Sequence, residues 1–210
     1  MIKPNPTTRH ITIAMTGASG APYTLRLIEQ CLLAGVNIQF ICSQPGQIVI
    51  ATESDLKLSG NPQKMQKQLT EYFECESAQI DVYAKDNWMA PIASGSSVAD
   101  AMVVCPCSMG SLAAIAHGIS NNLIHRAADV ILKERKKLIL LPRETPYSSL
   151  HLENMLKLSN MGAVILAPNP AFYQGVSSVQ DMVDFVVSRV MDQLDIPNQL
   201  SPRWGTTNES

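Results

Sequence analysis

Apolar, β-branched runs recur along the chain at His10–Thr16, Val36–Cys42, Ala101–Cys105, Leu138–Leu141 and Ala163–Ala167, each followed by turn residues. Such continuous runs mark strands buried on both faces, as in a parallel sheet covered by helices. A weaker strand is predicted at Gln79–Tyr83. Between the runs the apolar spacing becomes helical: Leu25, Ile28, Cys31 and Leu32 share a stripe, with Pro22 near its start and Gly35 just beyond its end. Met182, Val183, Val186, Val187, Val190, Met191 and Leu194 form another, predicting a last helix from about Val179 to Leu194.

Strands alternating with helices predict a single α/β domain built on a Rossmann-like, doubly wound, mostly parallel sheet, because parallel strands need crossover helices. The pattern predicts an N-terminal extension (1–9), one domain (10–195) and a polar, proline-containing tail (196–210). In such sheets ligands gather beyond the carboxyl ends of the strands. The residues predicted there are Gly17-Ala18-Ser19-Gly20, Ser43, Pro106-Cys107-Ser108-Met109-Gly110-Ser111, Arg143-Glu144-Thr145-Pro146, and the stretch 169–175 with Tyr173.

Composition narrows the function. Hydrophobic residues make up 46% and charged residues 16% of 210, which suits a buried core and hints at surface covered by oligomerisation. A net charge of -2 argues against a nucleic-acid partner. No apolar run has the length of a membrane span, and the first ten residues lack the apolar core of a secretory signal, so a cytoplasmic protein is expected. Cys31, Cys42, Cys75, Cys105 and Cys107 form no zinc pair, the last two being C-x-C, and His117, His125 and His151 add no ligand spacing; no metal is expected.

"MTGASGAP" (15–22) has two glycines where a dinucleotide fingerprint has three, and Ser19 stands where that fingerprint keeps the backbone bare. Ser43 closes the second strand where a dinucleotide enzyme places an acid for the ribose. Serines, two glycine turns, helix N-termini and Arg143 therefore suit one phosphate monoester, although each serine taken alone reads equally well as a helix cap. If Ala127–Lys136 is helical, Arg126 and Lys133, seven residues apart, share a face that could clamp a second phosphate, or could simply be solvated like the neighbouring charges. Glu53, Trp88 and Arg189 are silent on pattern alone.

Together, "TGASGAPY", "PIASGS", "CPCSMGSLAAIAHGISNNLIHRAADVILKERKKLILLPRETP" and "MGAVILAPNPAFY" resemble the flavin prenyltransferases, the UbiX family, from about Ile11 to Leu194. The resemblance implies metal-independent transfer of a dimethylallyl group from dimethylallyl monophosphate to reduced FMN, joining N5 and then closing a ring at C6. The product, prenylated FMN, serves a partner UbiD-type decarboxylase, with ubiquinone biosynthesis as the family association. Carried onto this chain, FMN contacts fall on Gly17, Ala18, Ser19, Ser43, Ser108, Met109, Gly110, Ser111 and Arg143. Prenyl-phosphate contacts fall on Ser94, Arg126, Lys133, Glu144, Tyr173 and Arg189, several across subunit interfaces of a homo-oligomer, a dodecamer in the family. Trp88 resembles an aromatic wall of the prenyl site. Glu53 and Ser19 resemble the proton handlers, and Lys133 and Glu144 join them in the catalytic set. Two other readings share parts of the pattern. Cysteine-oxidising flavin decarboxylases would need a histidine after the early strands, a region without one between His10 and His117. An FMN carrier would need Ser19, Ser43 and Arg143 but not Arg126, Lys133 and Arg189.

Overall fold

A computed structural model describes residues 9–172 and 175–205. Six strands, β1 (His10–Met15), β2 (Asn37–Cys42), β3 (Ile80–Val82), β4 (Ala101–Cys107), β5 (Lys137–Pro142) and β6 (Val164–Ile165), form one sheet in the order β3-β2-β1-β4-β5-β6, every pairing parallel. This is the doubly wound order, whose direction of winding reverses between β1 and β4. All six predicted strands are present. β6 shrinks to two residues and β4 runs on through Cys107, Pro106 and Cys107 remaining buried beyond the apolar run.

Alternate residues of the central strands enter two cores, as the two-residue strand period requires. Ile11, Ile13, Met15 and Phe40 meet α1 (Ala21–Leu33) and α7 (Val179–Gln193) on one face. Ala14, Ile41, Met102 and Val104 meet α4 (Met109–Ala116), α5 (Leu123–Lys133) and α6 (Ser149–Asn160) on the other. The short α2 (Gln44–Glu53) and α3 (Pro62–Phe73) follow β2. α1 ends as predicted, Gly35 taking the left-handed φ of 73° that reverses the chain. α7 begins at a capping box of Ser178 and Asp181. No helix among the described residues is long and apolar enough to cross a membrane.

One helix sits in a different register from its prediction. α5 runs Leu123–Lys133, not Ala127–Lys136. Asn122 caps it, its side chain accepting from the His125 N–H at 3.0 Å, and Arg135 turns left-handed at φ 56°. Arg126 thereby moves into the first turn while Lys133 stands in the last, and their seven-residue spacing still places them along one face.

Candidate functional site

The glycine turn after β1 and the serine turn after β4 flank the point where the sheet's winding reverses. A residue overlooked in the sequence joins them: Thr16, 2% exposed, donates its hydroxyl to Pro106 O at 2.8 Å and accepts from the Ser108 N–H at 2.7 Å. Ser108 then caps α4, its Oγ accepting from the Ser111 N–H at 3.4 Å and donating to Ser111 Oγ at 3.1 Å. Ser43 caps α2 in the same way, accepting from Gly46 N at 3.0 Å. Both serines are therefore helix caps, and the N-terminal N–H groups of the two helices stand at the carboxyl ends of β2 and β4, on either side of β1. Met109 and Gly110 occupy the first turn of α4, Gly110 exposed.

The glycines have backbone reasons to be there. A Cβ on Gly17 would penetrate Pro45 Cβ, since α2 crosses directly over the turn. Gly20 has φ 136°, outside the range of ordinary side chains, and its missing Cβ would lie 3.0 Å from Tyr23 and 3.4 Å from Pro106. Gly17→Ala is accordingly expected to destabilise the fold by about 1–3 kcal/mol, the usual cost of forcing extra volume against a rigid neighbour. A urea midpoint unchanged from the native protein would show that α2 shifts freely.

Within the chain, the N-terminus of α1 is occupied by a carboxylate. Glu53, the last residue of α2, accepts from the Gly20 and Ala21 N–H groups at 2.9 and 2.8 Å through Oε2. Burial pushes the Glu53 carboxyl up, but hydrogen bonds from the Ser19 side chain and these two amides, together with Arg143, outweigh it and hold the group below the usual carboxylate range. Arg143 Nε donates to Ser19 O at 3.0 Å. Ser19 itself is exposed, next to the buried Ala18, so a hydroxyl, a carboxylate and a guanidinium meet at the open side of the turn. Glu144 follows, exposed, accepting from the Thr145 N–H at 3.0 Å.

A second group lies along α5. Arg126 Nε donates to Ala93 O at 3.1 Å and its Nη1 pairs with Asp129 at 2.9 Å. Lys133 pairs with Glu134, and a Cβ on Gly95 would come within 2.8 Å of Lys133 Nζ. Two short turns, Pro91–Ala93 and Gly95–Ser97, thus approach this face, Ala93 at Arg126 and Gly95 at Lys133, with Ser94 between them, while Lys133 itself stays exposed. The Leu123 N–H donates to Lys85 O at 2.7 Å, which ties the preceding loop and its half-exposed Trp88 to the start of α5.

Lys133 and Arg143 lie apart within one chain. Lys133 ends α5 just before the amino end of β5, whereas Arg143 follows its carboxyl end, about 17 Å away along the strand. Arg189, on α7, belongs to the opposite face of the sheet from α5 and pairs with Asp192 at 2.6 Å. Tyr173 lies outside the described residues. Burial pushes the Cys31, Cys42, Cys105 and Cys107 thiols up to about 12, so they stay protonated core residues. Among the described residues no group of three His, Cys, Asp or Glu side chains is placed to hold a metal ion.

The Flavoprotein family model matches residues 3–191. The chain is 56% identical over 195 residues to the flavin prenyltransferase UbiX of Pseudomonas aeruginosa, covering 93% of each. Its fold is similar to that of AnUbiX, solved in complex with FMN and dimethylallyl pyrophosphate, with a TM-score of 0.84 and 37% identity, covering 96% of this chain and 100% of that one. A dodecameric FMN-dependent UbiX-like decarboxylase from Escherichia coli gives a TM-score of 0.83 at 36% identity, covering 94% of this chain and 100% of that one. A family match along nearly the whole chain and relatives this close over the same span place the protein in the Flavoprotein family, among its flavin prenyltransferases of the UbiX type.

Proposed function

We propose that this chain transfers a dimethylallyl group from dimethylallyl monophosphate to reduced FMN, without a metal, and supplies prenylated FMN to a UbiD-type decarboxylase, in ubiquinone biosynthesis by family association. The observation that carries the reading is Glu53, an ionised carboxylate hydrogen-bonded to Ser19 at the open side of a mononucleotide turn. An FMN store has no use for a base there; a transferase that must remove a proton during ring closure does.

The residues fit FMN. The N–H groups at the starts of α2 and α4, with Ser43 and Ser108 to Ser111, suit a phosphate monoester, and Arg143 stands beside Ser19 at the turn. Reduced FMN held there would supply N5, which loses its proton as the C–O bond to phosphate breaks, and then C6, whose bond to the prenyl group forms as the prenyl double bond takes up one proton and C6 gives up another. Glu53 takes the proton lost from C6, directly or through the Ser19 hydroxyl. Arg126, Lys133 and Arg189 meet the charge that develops on the departing phosphate, work that fixed cations do well in a water-poor site. The Trp88 face favours allylic cation character at the donor. Glu144 and Tyr173 complete the phosphate contacts.

The separation of Lys133 from Arg143, and of Arg189 from Lys133 across the sheet, supports an active site assembled from several copies of the chain. Exposed apolar surface supports the same assembly: Met89 is 92% exposed beside Trp88, and Leu150, Leu152 and Leu156 project from α6. A dodecamer in the cytoplasm is the form the reading favours.

Incubated anaerobically with reduced FMN and dimethylallyl monophosphate, the protein is expected to yield a flavin heavier by one prenyl unit, read by mass spectrometry. Recovery of FMN alone would overturn the proposal.

A further inference from the structure

The β1–β4 ladder ends at Ala14 and Val104, just short of the glycine and serine turns, and β4 shifts its register against β5 between Val104 and Cys107. Beyond that point the Thr16 N–H reaches Pro106 O at 3.3 Å, longer than an ordinary amide bond. The junction on the other side of β1 is firmer in its backbone. There the ladder continues to Met15 and Cys42, and the Ser43 N–H donates to Met15 O at 3.0 Å. Between β1 and β4 a side chain closes the gap instead. The Thr16 hydroxyl, 2% exposed as a residue, donates to the same Pro106 O at 2.8 Å and accepts from the Ser108 N–H at 2.7 Å.

That hydroxyl settles how the serine turn faces the glycine turn. Ser108 caps α4 through its own side chain, which accepts from the Ser111 N–H, so the helix keeps its start whatever stands at residue 16. The Ser108 N–H points back at β1, and Thr16 is its acceptor. Valine matches threonine in shape but accepts nothing, so Thr16→Val leaves that N–H facing a methyl group in a part-buried place. Its relief is to draw the Ser108 turn away from the glycine turn, toward water. The branched β-carbon also holds threonine to fewer rotamers than serine, which suits a bond that must keep a fixed span. Gly20, whose missing Cβ would lie 3.4 Å from Pro106 Cβ, allows the turns to come this close.

We propose that Thr16 is a positioning residue for the flavin, holding the glycine turn and the serine turn at the spacing that FMN spans. The inference rests on the reading that these two turns bind FMN together. Buried as it is, Thr16 acts through its neighbours Gly17 and Ser108. The FMN contacts carried over by family resemblance begin at Gly17 and leave Thr16 without a part. Its effect falls on flavin affinity and spares the prenyl donor, because Lys133 stands about 17 Å from the flavin turns along β5.

The test is titration of FMN into the full chain freed of flavin, followed by flavin fluorescence, with the anaerobic prenylation assay beside it. Thr16→Val is expected to raise the Kd for FMN about tenfold, the scale of one lost hydrogen bond, and Thr16→Ser to stay within about threefold of native. At saturating reduced FMN the KM for dimethylallyl monophosphate is expected to change less than about twofold in either variant. A purely structural threonine predicts a lower melting temperature with native FMN affinity in the folded protein, and that result overturns the proposal. Equal rises in the FMN Kd and the donor KM mean a general loosening of the fold and overturn it too. So does a Thr16→Ser as weak as Thr16→Val, because the hydroxyl is what carries both bonds. Should Thr16→Val fail to fold, Thr16→Ala removes the same hydroxyl without setting a methyl group in its place, and native FMN affinity there is equally fatal. The functional reading is judged apart from this. Native protein that binds FMN with this dependence on residue 16, yet forms no prenylated flavin, sinks that reading and leaves Thr16 its role; prenylation with native affinity in Thr16→Val does the reverse. Native protein that takes up no FMN overturns both.

Discussion

Glu53→Gln is expected to slow flavin prenylation by about 10²–10⁴, the usual contribution of a positioned general base, while leaving FMN binding and the fold close to native. The distinction is available because Glu53 does two things. Its Oε2 accepts from Gly20 and Ala21, fixing the turn, and a glutamine carbonyl can accept those same bonds. What glutamine cannot do is take a proton. The turn should survive, and loss of FMN binding together with activity would reduce Glu53 to a clamp on α1. The pH dependence has a definite sign. With its folded pKa below the ordinary carboxylate value, Glu53 remains a base through neutral and mildly acidic pH, and the stability gained from its hydrogen bonds is present above the unfolded pKa and lost as pH falls through the folded one. A base so well solvated by donors is a weak one. Burial is already the largest influence on it and pushes upward, so a ligand that covers Ser19 and excludes water strengthens the influence that makes Glu53 more basic.

The sheet was legible in the sequence because its strands are buried on both faces and therefore read as unbroken apolar runs; Ile11 to Met15 and Ala101 to Val104 could hardly be anything else. The strand-end rule then led directly to the turns at Gly17 and Ser108. Its reach stopped at relationships between distant residues. Nothing local in "ATESD" shows that Glu53 fills the anion site of α1, since that depends on how α2 crosses the turn, a crossing legible only as the space that Gly17 leaves for Pro45. Thr16 was passed over because a threonine closing a strand is ordinary; its use in joining two turns is a matter of tertiary packing. α5 starts four residues before the span considered in the sequence because Asn122 caps it, and its apolar stripe already opens at Leu123 and Ile124, repeating at Ala127, Ala128 and Ile131. The seven-residue spacing of Arg126 and Lys133 survives that shift, since spacing along a helix does not depend on where the helix begins.

The separation of the two groups leads to the second large effect: two variants, each nearly inactive, are expected to restore one another. Lys133→Ala removes a cation from the α5 group and spares the flavin turn about 17 Å away, so it should bind FMN yet lose roughly 10²-fold or more in prenyl transfer, the scale seen when a preorganised charge-stabilising donor is deleted. Glu53→Gln carries the converse lesion. If each site takes its flavin turn from one copy and its α5 cations from another, dissociating and reassociating an equal mixture gives some sites with both wild-type halves, about a quarter when copies mix at random. Sites built within single chains would contain one lesion each, whatever their neighbours, and the mixture would stay as slow as its parents. Recovery in the mixture requires exchange of subunits, so unmixed variants taken through the same cycle supply the baseline. A mixture that exchanges, by mass analysis of differently tagged copies, but shows no gain over that baseline would place Lys133 and Glu53 in the same chain's site or Lys133 outside the site altogether. The geometry argues for the gain: no rotation of the Lys133 side chain spans the length of β5, and only another copy of α5 can bring its charge to the serine and glycine turns.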